Sequence, residues 1–500
     1  MQTGKIVLLF FLLAVITNQL CAQEFGGNPP SLHWKQVNTD TVRVIFHPGF
    51  EKTAALIAAK AAWIGKHTLH SIGAEQKKIN IVLQDLNILS NAYVGLGPYR
   101  SEFYLTPPQN SFDLGSIPWP ESLVNHEYRH VMQYNNFRVG LSRALYYLAG
   151  EMGQALANSA AIPNWFWEGD AVAQETLLSS QGRGRMPSFF DGYRSLWAAH
   201  KDYSWMKLRN GSLRDYVPDH YPLGYMMIAY GRNQYGDDFW RKVSNDAARY
   251  KGLFYPFQRA IKKYSGIDYR QFRTAGLNAF LATYSDSPED SISKVAAADR
   301  HFYGDELYPQ WMDDNHIVLL KSDYSHNPAF VIRNLQQRTE RKLGVKDISY
   351  DRYFSYGHNQ LVYTGWHPDI RWGRREYSDI RLLDIETGQR RWLTRKARYF
   401  SPAISTDGKS LLAVWVDPGG AAQLHMLSVE NGHLIRTFPN KDELFITYPQ
   451  FYGTDAVVAA VRNNAGKMAL MQWNISTGHQ QVLIPFSFNQ LAFLRCAGDT

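Results

Sequence analysis

The chain has 500 residues, of which 45% are hydrophobic and 20% are charged, and its formal net charge is +8. This composition is ordinary for a globular protein, and the length predicts two or three domains. The positive charge is spread over short clusters such as residues 371–375 and Arg390-Arg391. We therefore expect solvated strand and turn faces and no nucleic-acid partner.

Residues 1–22 are a predicted signal peptide. Lys5 precedes an apolar run at residues 6–16, and the polar stretch after it ends at Ala22. This order is typical of an export signal, and we expect cleavage after Ala22. The apolar run is well short of the roughly 20 residues that span a bilayer, which argues against an uncleaved anchor. No later stretch is long and apolar enough for a membrane span, so the mature protein is expected to be soluble.

The two cysteines bear on the compartment. Cys21 lies in the predicted signal peptide, and the other cysteine is Cys496. No disulfide within the chain can form after cleavage, and export without disulfides predicts a bacterial periplasm or exterior. A lipid anchor on Cys21 is the alternative. Leu20 argues against it, because lipoprotein signals resemble a small residue directly before the cysteine.

Residues 23–284 are predicted to form one mixed domain. Strands are expected at residues 42–46 and 79–83, with a helix at residues 53–67 between them, and one or two further strands at residues 92–105. The pattern from residue 121 to residue 282 is mainly helical. Strands followed by helices indicate the α+β class.

Residues 285–299 are a predicted linker, because their first part is polar and contains a proline. Residues 300–500 then change to short strands with turn signals. Four similar openings recur at spacings of about 45 to 49 residues: Tyr308-Pro-Gln-Trp, Tyr353-Phe-Ser-Tyr, Tyr399-Phe-Ser-Pro and Tyr448-Pro-Gln-Phe. Internal turns that end at Gly388, Gly432 and Gly478 recur as well. Repeats of about 40 to 50 residues predict the four-stranded blades of a β-propeller.

The repeat region resembles TolB-like propellers, whose blades often carry Ser-Pro-Asp-Gly in a tight turn. Ser405-Thr-Asp-Gly408 is a variant of that turn. The resemblance implies an all-β propeller of about four blades, and residues 486–500 resemble the first strand of a fifth. Known rings close with about four to eight blades, so we expect an incomplete propeller from a longer protein.

The strongest chemical signal is His126-Glu127-Tyr-Arg-His130. On a helix, residues four apart lie on one face, so both imidazoles can reach one metal ion. Glu127 is displaced by about 100° around the helix axis, and it can approach a water on the ion without being a ligand. The alternative is a chance match, in which a solvated helix carries two surface histidines.

A second motif, Trp165-Phe-Trp-Glu168-Gly-Asp-Ala171, resembles the Trp-x-x-Glu-Gly-x-Ala segment of gluzincin peptidases, which include aminopeptidase N relatives and thermolysin. The resemblance implies a zincin-like catalytic domain in which Glu168 is the third ligand of one catalytic Zn²⁺. Two imidazoles and one carboxylate leave a tetrahedral position open for water. A carboxylate near a helix start is the alternative for Glu168. The gap after His130 is about twice that of these families, and residues 140–161 supply an extra helix.

A third segment, Tyr221-Pro-Leu-Gly-Tyr225, resembles the Tyr-x-Lys-Gly-x segment of the aminopeptidase relatives. The resemblance implies that Tyr221 stabilises the oxyanion, although the lysine of that segment is absent. Tyr225 is the alternative for this role, and a core or rim tyrosine is the structural alternative.

Two further carboxylates, Asp170 and Glu175, lie near Glu168 in sequence. Either can accept the second N–H of a zinc-bound histidine and fix its tautomer, and a surface salt bridge is the alternative for each. The Gly-x-Met-Glu-Asn motif that reads a free amino terminus in aminopeptidases is missing, also from residues 92–105, where zincins keep their edge strand. An endopeptidase is therefore expected.

These observations together predict an exported zinc metallopeptidase that cleaves a peptide or protein substrate. A zinc-activated water attacks the peptide bond, Glu127 acts as the general base, and zinc with Tyr221 stabilises the oxyanion. The alternative is an inactive zincin scaffold whose propeller binds a protein or glycan partner.

Overall fold

The computed structural model describes residues 26–284 and 301–496. The predicted signal peptide and the predicted linker lie outside these ranges. The first range holds a mixed sheet covered by helices, and the second holds a series of antiparallel sheets. Within the two ranges, no helix combines the length and the apolar character needed to cross a membrane.

The N-terminal part contains a five-stranded sheet with the order β1-β2-β3-β5-β4. Its strands are β1 (Lys35–Asn38), β2 (Val42–Phe46), β3 (Ile79–Gln84), β4 (Ala92–Gly95) and β5 (Arg100–Tyr104). The β2-β3 and β3-β5 pairs are parallel, and β4 pairs antiparallel with β5 at the edge. Val42, Val44 and Phe46 are buried in alternation along β2, as expected for a strand with one face on the core. The predicted stretch at residues 92–105 thus forms two strands, one of which is a sheet edge.

One helix lies between β2 and β3 and the others follow the sheet, as predicted. They are α1 (Glu51–Thr68), α2 (Ser111–Leu114), α3 (Trp119–Asn136), α4 (Gly140–Ala161), α5 (Asn164–Leu178), α6 (Asp191–Ala198), α7 (Trp205–Asn210), α8 (His220–Tyr235), α9 (Phe239–Ala248), α10 (Pro256–Ser265) and α11 (Tyr269–Leu281). An aromatic cluster of Trp165, Phe166, Trp240 and Phe257 joins α5, α9 and α10. Large buried aromatic side chains contribute strongly to the core that holds these helices together.

The second range folds into four antiparallel sheets of four strands, each in sequence order. The strands are β6 (Gly304–Trp311), β7 (His316–Asp323), β8 (Ala329–Asn334), β9 (Thr339–Val345), β10 (Phe354–Gly357), β11 (Gln360–Pro368), β12 (Glu376–Asp384), β13 (Arg390–Trp392), β14 (Tyr399–Ile404), β15 (Ser410–Val416), β16 (Ala422–Ser428), β17 (Leu434–Thr437), β18 (Phe445–Tyr452), β19 (Ala456–Arg462), β20 (Met468–Asn474) and β21 (Gln480–Ser487). Four consecutive four-stranded meanders form a propeller-like part, as the repeat predicted.

In three of the four sheets, the first strand has a bulge at the repeat position. Tyr308, Ser401 and Tyr448 have φ angles of 56°, 49° and 49°, and a proline follows each. The strand pairing shifts at these three positions. A bulge accommodates a proline that cannot donate to the ladder. The predicted alignment of Tyr399 with Tyr308 and Tyr448 is therefore wrong by two residues, because Ser401 is the equivalent position.

The two parts pack together through loops of the mixed domain. The guanidinium of Arg398 donates to Asn87 O at 2.8 Å and to Thr106 Oγ1 at 2.6 Å. Arg462 donates to the carbonyl oxygens of Pro108 and Gly115. Ile88, in contrast, belongs to the apolar core of the third and fourth sheets. Buried hydrogen bonds and shared apolar surface thus fix the helical part against the propeller-like part.

Candidate metal centre

Helix α3 carries the His126-Glu127-x-x-His130 segment in the middle of the domain. Val124, Tyr128 and Val131 are almost completely buried, which holds the helix against the core. The remaining face of the helix lines a cleft of about 410 Å³ together with α4, α5 and strand β4. The two histidines and Glu127 all line this cleft.

His126, His130 and Glu168 converge in the cleft. One potential ligand atom from each lies within 4.8 Å of the others. Glu168 Oε2 is 3.3 Å from His126 Nε2 and 3.5 Å from His130 Nε2. Within residues 26–284 and 301–496, this is the group of three or more such side chains whose spacing allows a shared metal ion. The structure therefore brings together the three predicted ligands.

His126 is oriented by a buried pair of charges behind it. Its Nδ1 lies 3.0 Å from Glu175 Oε2, and Arg183 Nε donates to Glu175 Oε1 at 2.8 Å. Arg183 Nη2 is also 2.9 Å from Nδ1. When Nε2 is free to bind a metal, Nδ1 carries the proton, and Glu175 is the neighbour that can accept it. The structure thus places Glu175 at the predicted position behind a histidine, buried and not on the surface.

His130 is oriented by Gln133 on the same helix. His130 Nδ1 lies 2.8 Å from Gln133 Oε1, and Gln133 Nε2 donates to Asp170 Oδ2 at 2.9 Å. Asp170 forms a buried two-bond ion pair with Arg129 at 2.6 and 2.8 Å. The prediction that Asp170 contacts a histidine directly is therefore wrong, because Gln133 occupies that place. The surface alternative is also wrong, because Asp170 is 2% exposed.

The charges at the centre reinforce one another. Burial alone would raise the pKa of Glu168, but His130 and His126 hold it well below its ordinary value. Burial would lower the pKa of His130, but Glu168 raises it to about 9. A carboxylate that favours protonation of two neighbouring imidazoles also favours a metal cation that binds in place of those protons. Two nitrogen donors and one carboxylate oxygen suit zinc.

Glu127 lies beside the three converging groups. The side chain is 7% exposed, and its Oε2 has no hydrogen-bond partner among the protein atoms. Burial raises the pKa of Glu127 despite the nearby His130 and His126. A buried carboxylate oxygen without a protein partner is costly unless a ligand or a water satisfies it.

Helices α5 and α8 cross at two glycines, which brings Tyr221 to the centre. A Cβ on Gly169 would lie 2.5 Å from Gly224 Cα, and a Cβ on Gly224 would lie 2.0 Å from Trp165 O. Neither position can carry a side chain at this separation. The ring of Tyr221 consequently lies 6.4 Å from that of His126 and lines the cleft. Burial and the Glu168 carboxylate raise the pKa of Tyr221.

Tyr225 occupies a different environment from Tyr221. Its ring packs against Phe189, Phe190 and Phe280, away from the residues that line the cleft. A Cβ on Gly184 would lie 2.5 Å from its hydroxyl oxygen, so the ring fills the space beside that glycine. Tyr221 is therefore the tyrosine of this segment that the structure places beside Glu168.

Arg183 and Gln133 are site residues that the sequence patterns did not indicate. Gln133 follows His130 by three residues on a helix, so the helical period alone could have identified it. Arg183 lies in a short 3₁₀ turn (Arg183–Arg185) beyond the end of α5. No periodic pattern connects Arg183 to the histidines, and its position depends on the tertiary fold.

Comparisons with known proteins concern the sheets alone. No family model matches the chain, and no curated protein matches it at a significant level. Similar solved structures include TolB from Acinetobacter baumannii, with 18% identity, a TM-score of 0.30, and coverage of 36% of this chain and 44% of TolB. The β-propeller domain of the Trilobed protease from Pyrococcus furiosus has 14% identity and a TM-score of 0.26 over 37% of this chain and 58% of that one. An acylaminoacyl peptidase from Pyrococcus horikoshii has 15% identity and a TM-score of 0.26 over 37% and 33%. The chain thus spans less than two thirds of each of these proteins, and the likeness gives no information on activity.

Proposed function

We propose that the protein is an exported zinc metallopeptidase of the gluzincin type, with a zincin-like domain before its propeller. The observation that carries this proposal is the convergence of His126, His130 and Glu168 in one cleft, with Glu127 beside them. The site is formed by α3 and α5, and the edge strand β4 lines the same cleft. A bacterial periplasm or exterior is the proposed location.

The donor set supports a catalytic zinc ion. Glu175 contacts Nδ1 of His126, and Gln133 contacts Nδ1 of His130. Both Nε2 atoms are therefore free for the metal. With Glu168, these side chains would hold the ion by three ligands, the number that protein side chains supply in catalytic zinc sites. Zinc held there supplies an activated water near neutral pH and a Lewis acid for the scissile carbonyl.

The residues of the chain then divide the work of peptide hydrolysis. Glu127, whose Oε2 is buried and without a partner, accepts the proton of the attacking water and delivers it to the leaving amine. Tyr221 keeps its hydroxyl proton at neutral pH and donates a hydrogen bond to the oxyanion. Arg183 and Glu175 hold His126 in place and do not exchange protons with the substrate.

Zinc content and turnover test this proposal together. We expect the purified full chain to hold about one zinc, to hydrolyse casein, and to lose activity reversibly with a chelator. Glu127→Gln keeps all three ligands, so it should retain zinc while activity falls by about 10²- to 10⁴-fold. Glu121→Gln, on the same helix but outside the cleft, is the control. Zinc without hydrolysis of casein or of a peptide library would support the inactive-scaffold alternative, and full activity in Glu127→Gln would refute the mechanism.

A further inference from the structure

Helix α4 presents large apolar side chains to solvent. Tyr147, Leu148, Met152 and Leu156 are 79%, 81%, 63% and 71% exposed. Single exposed apolar residues are common, but several of them within ten residues indicate a binding surface. The position of this group relative to the cleft indicates what it binds.

The exposed face of α4 continues into the cleft. The helix breaks at Gly150, whose φ of 63° and ψ of −152° are not helical, so residues 151–161 form a separate segment. In that segment Met152, Ala155, Leu156 and Ser159 share one face by helical spacing. Ala155 and Ser159 line the cleft. Met152 and Leu156 therefore extend the wall of the cleft outward.

The same segment is fixed to the edge of the sheet. Glu151 Oε2 accepts a hydrogen bond from Gly97 N at 2.7 Å, and Gly97 lies in the turn between β4 and β5. A Cβ on Gly97 would lie 2.8 Å from Met152 Sδ, so Met152 packs on this turn. Strand β4 and the α4 segment thus form two joined walls of one cleft.

Asn158 provides a polar group on the inner side of the segment. The residue lines the cleft and is 1% exposed, and neither Oδ1 nor Nδ2 has a hydrogen-bond partner among the protein atoms. A buried amide without partners is costly, unless a ligand or water satisfies it. A primary amide offers one acceptor and two donors, which match the C=O and N–H of a peptide group.

We propose that residues 151–161 form a substrate-binding wall for extended polypeptide segments rich in apolar side chains. Met152 and Leu156 contact side chains of the segment, and Asn158 binds one of its peptide groups. Glu151 is the single charged residue of residues 151–161, so the wall lacks the basic residues with which helices bind anionic membranes. The inference rests on the proposed peptidase function, because the cleft is where that substrate is cleaved.

Peptide binding to the full-length Glu127→Gln protein tests the wall without requiring turnover. Two labelled 10-residue peptides are compared by fluorescence anisotropy, one apolar and one with serine at its leucine and phenylalanine positions. The apolar peptide should bind at least tenfold more tightly. Adding Met152→Ser and Leu156→Ser should weaken binding of the apolar peptide by about tenfold and leave the affinity for the serine peptide unchanged. The matched control is Met206→Ser with Leu253→Ser, at residues 59% and 61% exposed that do not line the cleft.

Asn158→Leu separates the backbone contact from the side-chain contacts. It should weaken both peptides by a similar factor, because a peptide group is common to both. Equal affinity of the two peptides, or an unchanged apolar affinity in the Met152→Ser and Leu156→Ser protein, would overturn the inference even where casein is cleaved. Selective peptide binding without cleavage by the unmutated chain would refute the peptidase function alone. The protein could instead bind phosphatidylglycerol vesicles through Met152 and Leu156 and show no selectivity between the peptides. That result would also overturn the inference of a substrate-binding wall.

Discussion

The buried charged residues of the cleft have different hydrogen-bond partners from those at the contact between the helical part and the propeller-like part. In the cleft, Arg183 pairs with Glu175; burial would lower the pKa of Arg183, but the carboxylate raises it. At the contact between the two parts, Arg398 and Arg462 donate mainly to backbone carbonyls, and burial lowers the pKa of each to about 10. Both groups are buried, but in the cleft two imidazoles and a carboxylate converge within 4.8 Å of one another.

The charged residues at the contact thus stabilise the fold, whereas those in the cleft are arranged to bind a ligand. The arginines at the contact use their donors on acceptors that the fold already provides. In the cleft, Glu168 and Glu127 line a cavity together with the two histidines. The convergent side chains therefore indicate a ligand in the cleft, whereas the two arginines at the contact already donate to the fold.

Removing a metal ligand should have the largest effect on zinc content and activity. This loss would show that the charged residues of the cleft carry the function. Glu168→Ala leaves two imidazoles, which hold zinc weakly, so we expect loss of both zinc and casein hydrolysis. Elemental analysis and activity are measured on the same preparation. Glu121→Ala is the control, since Glu121 pairs with Lys60 outside the cleft and should retain both properties. Full zinc content in Glu168→Ala would contradict the ligand assignment.

A smaller effect is expected from the tyrosine that the glycine crossing brings to the centre. Tyr221→Phe removes one hydroxyl and no ligand, so zinc content should be unchanged. The kcat should fall by about 10²-fold, as for the loss of one oxyanion donor, with little change in KM. Tyr225→Phe, at the neighbouring tyrosine outside the cleft, should retain kcat. An unchanged kcat in Tyr221→Phe would leave this tyrosine with a packing role.

The contact between the parts should respond in stability and not in zinc binding. Arg398→Met removes the donor to Thr106 Oγ1 and leaves Asn87 O with the Thr106 hydroxyl alone, and we expect a loss of about 2–3 kcal/mol of unfolding free energy. Thermal unfolding of the full chain measures it as a midpoint lower by several degrees. Arg395→Met, at an exposed arginine nearby, should be close to neutral. Loss of zinc in folded Arg398→Met would break the distinction between the two groups.

The sequence could predict features that depend on local period. The spacing of His126 and His130 is a property of one helix, and the internal turns of the sheets repeat at glycines with φ near 70°. Glu168 followed from a motif on the next part of the chain. These predictions needed no knowledge of how distant segments pack.

The missed features depend on packing between distant segments. Arg183 reaches Glu175 because its loop is held by Gln181, which donates to Phe488 O at 2.5 Å in the propeller-like part. Helical spacing could have placed Gln133 beside His130, but it could not show that Asp170 pairs with Arg129 on another helix. The two-residue error at Tyr399 has a similar cause. The sequence repeats an aromatic residue there, whereas the structure repeats the bulge before a proline at Ser401.

The crossing of α5 and α8 also limits how sequences with this fold can diverge. Gly169 and Gly224 lie so close that a methyl group on either would move the two helices apart. Gly169 directly follows the third predicted ligand, and Gly224 follows Tyr221 by three residues. Among related chains, the two positions should therefore change together or not at all. A chain that has lost both glycines while keeping its histidines would be one in which the metal position and the tyrosine are no longer linked.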